Sequence, residues 1–247
     1  MIYTIGFVLL ILVLMVVYAF NHRDNPRIFL YHNVSDKEIS YKTNMSSAKF
    51  ERQIAMLKKL NFEFYTIEDL FDDKEIQKHN RRAFITFDDG FEDIYTNVFP
   101  ILKKYNVKAT VYACRSIAGK KVLSDEQMKT MQDSGLVEFG SHSTNHINML
   151  EYSDDIVNDD IVKSKSTIES ITGAPCTSFA YPYGKFTDAH VEMLEKAGYK
   201  TAVIIGKKLK SYQELESDRY RIPRIEPRGN MNIFQFIVLI LFGKYKI

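Results

Sequence analysis

Short apolar runs alternate along the chain with longer segments in which apolar residues recur every three or four positions. The apolar runs are short enough, and sufficiently rich in β-branched and aromatic residues, to predict strands. Seven strands are expected: Arg27–Tyr31, Phe62–Tyr65, Ala83–Phe87, Lys108–Ala113, Leu136–Gly140, Ser178–Tyr181 and Lys200–Ile205. Strands that alternate with helices indicate a parallel sheet covered by helices, and hence an α/β fold.

The segments between the predicted strands carry the end signals of helices. Phe50, Ile54 and Leu57 lie on one helical face and follow Ser46, a residue type that commonly caps helices. Three further helices are expected, each followed by a glycine: Ser124 to Gly135, Ser153 to Gly173 and Thr187 to Gly198. Ser124 and Gln127 have capping-box spacing.

Polar residues follow several of the predicted strands directly. Seven strands fit either an open doubly wound sheet or a barrel, and in both architectures ligands bind at the carboxyl ends of the strands. The residues at those ends are His32, Asp88, Asp89, His142, His146, Tyr183 and Gly184. Three of the six histidines in the chain therefore stand just past strand ends, where a site is expected.

Asp88 and Asp89 raise a problem of charge, because two adjacent ionised carboxylates at a buried strand end repel each other and are costly to desolvate. His142 and His146 are four residues apart, so that both imidazoles can face one centre. Two imidazoles and one carboxylate form a three-ligand set for zinc. A bound cation would neutralise one aspartate and leave the other ionised as a base. The alternative is a surface histidine pair and a helix cap.

The first 20 residues contain no charged side chain. About 20 apolar residues are enough for a helix to cross a membrane. No basic residue precedes the run and Tyr18-Ala19-Phe20 is a poor cleavage site, so an uncleaved transmembrane anchor is favoured over a signal peptide. Arg23 and Arg27 follow the span, and the positive-inside rule taken literally would place the rest of the chain in the cytoplasm.

Length and composition suit one globular domain, or at most two small ones, in the chain of 247 residues, and a single domain at residues 27–230 is expected. The net charge is only +2 and basic residues are scattered, so no nucleic acid is expected as a partner. Cys114 and Cys176 have no metal or redox spacing; they are expected to be small apolar fillers, and a single bridge between them stays open.

Residues 231–247 form a separate apolar end. The run from Ile233 to Phe242 is too short to span a bilayer. It predicts either a final core helix or an interfacial segment that places Lys244 and Lys246 at lipid headgroups.

Three motifs resemble a known family. "TFDDG" (Thr86–Gly90), "SHSTNH" (Ser141–His146) and "YPYG" (Tyr181–Gly184) are similar to motifs of the polysaccharide deacetylases with the NodB-homology domain, carbohydrate esterase family four. The similarity runs from about Arg27 to about Pro227. It implies a distorted (β/α)7 barrel and a metal-dependent hydrolase that removes acetyl groups from N-acetylated sugars.

The resemblance also implies roles for the residues at the strand ends. Asp88 would be the general base, and the divalent metal would be held by Asp89, His142 and His146. A backbone N–H near Tyr183 would bind the oxyanion, with Gly184 allowing close approach. Zinc is expected, although cobalt, nickel and iron also suit these ligands.

The chain departs from the family pattern at three places. No histidine follows His190, so the usual general acid is missing, and the chain has no tryptophan for the fourth motif. Ala180 stands where an arginine usually pairs with the base. "LYHNV" resembles a circularly permuted branch, the poly-β-1,6-N-acetylglucosamine deacetylases, so His32 is expected to be the acid; a capping histidine is the alternative. Arg224, or else Arg221, is expected to replace the missing arginine.

These features predict a membrane-anchored enzyme that deacetylates a biofilm polymer, poly-β-1,6-N-acetylglucosamine. An extracytoplasmic domain is expected because this class of substrate is extracytoplasmic and Arg23 with Arg27 is a weak charge bias. The membrane and a polysaccharide synthase or export complex are the expected partners. Two alternatives stay open: a deacetylase of peptidoglycan or chitin-like chains, and a glycan-binding protein without catalysis, for which Ala180 is the main support.

Overall fold

The computed structural model describes residues 17–18, 21–36, 43–72, 80–206 and 208–244. The strands are β1 (Arg27–Tyr31), β2 (Glu63–Tyr65), β3 (Arg82–Phe87), β4 (Ala109–Ala113), β5 (Val137–Ser141), β6 (Ser178–Ala180), β7 (Thr201–Ile205) and β8 (Ile222–Arg224). The α-helices are α1 (Ser47–Lys59), α2 (Asp69–Asp72), α3 (Phe99–Tyr105), α4 (Asp125–Asp133), α5 (Asp154–Thr172), α6 (Asp188–Lys196), α7 (Tyr212–Glu216) and α8 (Ile233–Phe242). A π-helix, Ile94–Val98, leads into α3, and a 3-10 turn, Pro182–Gly184, follows β6.

The strands form a nearly closed parallel barrel. Their order is β1-β3-β4-β5-β6-β7-β8, and each neighbouring pair is parallel. The last strand meets the first: Leu30 N–H donates to the Ile225 carbonyl at 2.9 Å, and Ile225 N–H donates to the Ile28 carbonyl at 2.8 Å. The predicted (β/α)7 barrel is therefore confirmed.

The set of strands in the barrel differs from the predicted set. β2 pairs with Arg82–Phe84 of β3, outside the main path, while β4 pairs with Ile85–Phe87. The seventh barrel strand is β8, which the apolar pattern did not predict. Proline has no backbone N–H to donate in a sheet, so a proline normally argues against a strand. Because of Pro223, the sequence pattern did not indicate this short strand.

Alternation along the strands separates two apolar layers. The larger layer lies between the strands and the helices, and the smaller one, which includes Ile28, Phe84 and Ile222, lies inside the barrel. Asp88 and Arg224 stand at even spacing from Phe84 and Ile222, so they continue the inward-facing rows toward the carboxyl ends of the strands.

The predicted helix ends are confirmed. The Ser46 side chain caps α1, which buries Phe50, Ile54 and Leu57. Capping boxes begin α4 at Ser124 and α6 at Thr187.

The sequence also led to predictions for the two ends of the chain and for the cysteines. The predicted anchor, residues 1–20, lies outside the described residues except for 17 and 18. Among the described ranges, no helix is both long enough and apolar enough to cross a membrane. Helix α8 packs against the barrel, with its Phe236 ring 5.9 Å from the Phe29 ring. Cys114 and Cys176 are buried free thiols, so they form no bridge.

Candidate active site

The turn after β3 separates the two neighbouring carboxylates. Asp89 and Gly90 both adopt left-handed backbone angles, with φ of 72° and 67°. A Cβ at Gly90 would lie 3.0 Å from the Ala113 Cα, so the turn needs glycine there. As a result Asp88 faces Arg224, while Asp89 faces two histidines.

Asp89, His142 and His146 form a possible metal site. The Asp89 Oδ1 lies 3.6 Å from His142 Nε2 and 3.4 Å from His146 Nε2. One ligand atom from each residue lies within 4.8 Å of the other two. This donor set matches catalytic zinc sites, in which three protein ligands leave a position open. The residues present therefore fit the metal that the motifs imply.

The orientation of His142 is fixed by a backbone contact. Its Nδ1 lies 2.7 Å from the Ala180 carbonyl, which can only accept a hydrogen bond, so Nδ1 carries the proton. The lone pair of Nε2 is then free to face Asp89 and His146, as a metal ligand requires. The Ala180 carbonyl thus orients a histidine of the site, although the Ala180 side chain cannot pair with the base aspartate as an arginine would.

Burial sets the charge state of these groups. Burial and the neighbouring Asp88 charge raise the pKa of Asp89 to about 7. Burial lowers the pKa of His142 to about 4 and also lowers that of His146. The histidines are therefore neutral at pH 7, which is the form that binds a metal.

Asp88 is held by a buried bidentate ion pair. Arg224 Nη1 and Nη2 donate to its two carboxylate oxygens at 2.5 and 2.7 Å, and Nη1 also donates to the Thr86 hydroxyl at 3.1 Å. Burial is the largest single influence on the pKa of Asp88 and would raise it. The charge and hydrogen bonds of Arg224, with smaller contributions from His142 and His32, together outweigh burial and lower the pKa to about 2. Arg221, the alternative, instead pairs with Asp188 and Asp218.

His32 follows β1, and the Tyr31 carbonyl there accepts the Asp88 N–H at 3.0 Å. The Nδ1 of His32 is buried and has no hydrogen-bond partner in the described part of the chain. Burial lowers the pKa of His32, and the Asp88 charge opposes that effect. This histidine therefore lies within electrostatic reach of Asp88 without being a member of the Asp89 cluster.

Tyr183 and Gly184 form one wall of the site. Both have left-handed backbone angles, with φ of 59° and 66°. The Tyr183 ring packs edge-on at 4.5 Å from the His146 ring and is 58% exposed. The hydrogen bonds of the turn come from the N–H groups of Gly184 and Lys185, so the turn does not use the Tyr183 N–H.

The structure adds positioning groups that the sequence analysis missed. Asp93 Oδ2 accepts from the Val34 N–H at 3.1 Å and from Asn33 Nδ2 at 3.3 Å. Asn97 Nδ2 donates to the Val34 carbonyl at 2.7 Å. Asp93 and Asn97 both lie at the π-helix and hold the loop after His32 in place. The only sequence signal for this role is the position of Asp93, shortly after the "DDG" motif.

Comparisons with known proteins agree with this geometry. The sequence model of the family described as polysaccharide deacetylase matches residues 75–202. A poly-β-1,6-N-acetyl-D-glucosamine N-deacetylase of Staphylococcus aureus (strain MSSA476) is 31% identical over 212 residues, which cover 80% of this chain and 72% of the relative.

Solved structures share the fold. A polysaccharide deacetylase from Bacillus cereus is 25% identical, with a TM-score of 0.78 over 87% of this chain and 69% of its own. The Streptococcus pyogenes deacetylase PplD, in complex with acetate, is 21% identical, with a TM-score of 0.77 over 88% of this chain and 98% of its own; this likeness concerns the fold. From the family match, the relative and the fold together, the chain belongs to the polysaccharide deacetylase family and is a hydrolytic deacetylase.

Proposed function

We propose that the chain is a metal-dependent N-deacetylase of an extracellular N-acetylglucosamine polymer, most specifically poly-β-1,6-N-acetylglucosamine of a biofilm matrix. The observation that carries the chemistry is the division of labour between two adjacent carboxylates: Asp88 pairs with Arg224, and Asp89 faces His142 and His146. The choice of polymer is supported by the relative named for it, 31% identical over 212 residues.

Asp89, His142 and His146 would hold the metal, which we propose to be zinc, with cobalt, nickel or iron as substitutes that suit the same ligands. When bound, a divalent metal supplies a water of lowered pKa and polarises the acetyl carbonyl. The neutral state of the two histidines supports this assignment, since protonated imidazoles cannot ligate.

Asp88 is the proposed general base. Its pKa of about 2 keeps it ionised at neutral pH, so a carboxylate oxygen can accept the proton of the attacking water. Arg224 fixes the direction of the carboxylate through two hydrogen bonds and would lie beside the charge that changes during the reaction.

Amide hydrolysis also needs a proton donor for the leaving nitrogen and a hydrogen-bond donor for the oxyanion, and His32 and Tyr183 are proposed for these two roles. The amide nitrogen leaves as an amine only when it is protonated, and His32, at the end of β1, is the proposed donor of that proton. The N–H of Tyr183, which has no hydrogen-bond partner among the described residues, would donate to the oxyanion that develops on the acetyl carbonyl.

We further propose that residues 1–20 anchor the chain in the cell membrane as a single span, with the deacetylase domain outside the cytoplasm. The support is the uncharged apolar sequence and the extracytoplasmic nature of the polymer. A synthase or export complex that delivers the polymer would then lie in the same membrane. A reporter fused to the C-terminus should be active only outside the cytoplasm; activity confined to the cytoplasm would overturn the topology.

The substrate is tested by acetate release from β-1,6- and β-1,4-linked N-acetylglucosamine oligomers, with the Asp88→Asn variant beside the wild type. Release from the β-1,6 oligomer, lost in the variant, is the expected result. Release from β-1,4 oligomers alone would move the substrate to peptidoglycan or chitin-like chains. Oligomer binding without release from either would mean a glycan-binding protein.

A further inference from the structure

Helix α8 presents apolar side chains on two opposite sides. Only Gln235 is polar among its ten residues, Ile233–Phe242. The inner side buries Phe236, Leu239 and Ile240 against the barrel. The outer side, called here the α8 outer face, exposes Ile233 by 49%, Phe234 by 70%, Ile237 by 37% and Leu241 by 37%. These four residues fall on one stripe of the helix, and contiguous exposed apolar surface of this kind marks an interaction site.

The N-terminal segment joins the fold beside this helix. The Tyr18 ring stacks on the Phe242 ring, with centroids 5.5 Å apart. Arg27 Nε donates to the Ile240 carbonyl at 2.7 Å and so ties the start of β1 to the same end of α8. Residues 1–16, which carry no charge, therefore precede a point at the C-terminal end of α8.

Basic groups flank the stripe at both ends. A cleft of about 280 Å³ beside Ile233 and Phe236 is lined by Lys49 and Arg52. Lys244 is exposed directly after the helix, and no acidic residue occurs from residue 227 to residue 247. The ammonium group of Lys49 donates to the Gly229 carbonyl, so Arg52 at one end and Lys244 at the other are the exposed cations. Cations that flank an apolar stripe are the arrangement that binds an anionic bilayer surface, since the cations meet the headgroups and the apolar side chains enter the acyl region.

We propose that the α8 outer face lies on the surface of an anionic lipid bilayer, the same one that residues 1–20 anchor. This inference rests on the proposed anchoring and adds a second, non-spanning contact. With two contacts the barrel is held in one orientation against the bilayer instead of moving on a tether, and the opening of the active site has a fixed direction relative to the emerging polymer.

The chain contains no tryptophan, so a single introduced tryptophan reports its surroundings without background. The full chain is reconstituted in vesicles of phosphatidylglycerol and phosphatidylcholine, with and without brominated acyl chains. The Phe234→Trp variant tests the α8 outer face, and Val17→Trp tests the anchor. Leu150→Trp, at a position 53% exposed in the loop after β5, is the matched control.

The expected result is a blue-shifted emission of Phe234→Trp and loss of most of its intensity on brominated lipid, weaker in pure phosphatidylcholine, while Leu150→Trp stays unquenched. Quenching of Val17→Trp without quenching of Phe234→Trp would overturn the α8 contact and leave the anchor standing. If neither is quenched, the anchor fails as well, whereas acetate release tests the deacetylase separately. A blue shift of Phe234→Trp without quenching would mean that protein covers the face, which also overturns the inference.

Discussion

Asp88 and Asp89 are neighbours in sequence, yet the pKa values of their carboxyl groups are shifted in opposite directions. Both are buried, which by itself raises a carboxyl pKa. For Asp88 the charge and hydrogen bonds of Arg224, together with His142 and His32, outweigh burial and lower the pKa to about 2. Asp89 forms no guanidinium ion pair in the described part of the chain, and burial with the Asp88 charge raises its pKa to about 7. Asp88 is thus ionised and can accept a proton, whereas Asp89 is the carboxylate that a bound cation would stabilise more.

Replacing Arg224 should shift the pH dependence of the reaction. In Arg224→Gln the burial of Asp88 is no longer outweighed by a positive charge, so its pKa rises. Because the base acts in its ionised form, the acid limb of kcat/KM for acetate release moves to higher pH. Arg221→Gln, which removes ion pairs with Asp188 and Asp218 and a cation contact with the Phe186 ring, should leave that limb in place because none of these groups contacts Asp88. An unmoved limb in Arg224→Gln would refute the role of the ion pair.

Substrates with different leaving groups can distinguish a proton-donating role of His32 from a structural one. His32→Gln should lower acetate release from an N-acetylated sugar by about 10²- to 10⁴-fold, the usual contribution of a general acid. Hydrolysis of an aryl acetate ester, whose leaving group needs no proton, should fall far less. An equal loss on both substrates would mean that His32 supports the structure of the site instead of donating a proton.

The sequence predicts some of the residues around Asp88 and does not predict others. Arg224 was expected because a buried base aspartate needs a cation and Ala180 cannot supply one. Thr86, which accepts from Arg224, and Asp93, which holds the loop after His32, were not expected. Their function is set by neighbours distant in sequence, and no local spacing signals such contacts.

At the scale of elements, the π-helix fixes the loop that follows β1. Asp93 and Asn97 bind both the N–H and the carbonyl of Val34, two residues after His32. A π-helix places these two side chains on one side, and such irregular turns frequently occur at functional sites.

Removing the Asp93 contact should impair catalysis without emptying the metal site. In Asp93→Ala the Val34 N–H and the Asn33 amide lose their acceptor, so the loop that carries His32 is displaced. A misplacement of about 1 Å can cost on the order of 10²-fold in rate, so kcat should fall by about 10- to 100-fold with little change in KM. Metal content should equal that of wild type. Glu92→Ala, whose exposed side chain pairs with the surface Lys121 at 3.8 Å, is the control; a matching loss there would discredit the positioning role.

Most elements were predictable because they obey local rules. The bounds predicted for Arg27–Tyr31 match those of β1, and the caps at Ser46, Ser124 and Thr187 begin helices as expected. Strand β8 was not predictable, since its three residues include Pro223. Its place in the sheet comes from pairing with β7 and from contacts with β1, which are decided by the closure of the barrel.

At the scale of the whole molecule, a buried carboxyl group lies deep in the barrel. Glu138 accepts from the Glu68 N–H at 3.0 Å and from the hydroxyls of Thr110 and Ser178, both at 3.3 Å. Burial raises its pKa to about 7, above the value of about 4.3 expected in an unfolded chain. Between these values the folded chain keeps a proton that the unfolded chain has released, so the free energy of unfolding falls as the pH rises.

The Glu138→Gln variant should remove this dependence. Glu138 should contribute a decrease of up to about 3 kcal/mol in the free energy of unfolding between about pH 4 and pH 7. The variant, which cannot ionise at this position, should lose stability over that range by up to about 3 kcal/mol less than the wild type, while the contribution of Asp89 remains. Urea unfolding at a series of pH values measures it. The exposed Glu192→Gln should behave as wild type. A slope unchanged in Glu138→Gln would assign the pH dependence to other groups.

The metal site and the base are tested together by measuring metal content and acetate release on the same samples of the full chain. Asp88→Asn should keep about one metal ion per chain, as in wild type, and lose acetate release, because the neighbouring Asp89, His142 and His146 remain. Asp89→Ala should lose both the metal and the activity. An Asp88→Asn variant that still releases acetate at the wild-type rate, or an Asp89→Ala variant that keeps its metal, would contradict the division of roles between the two aspartates.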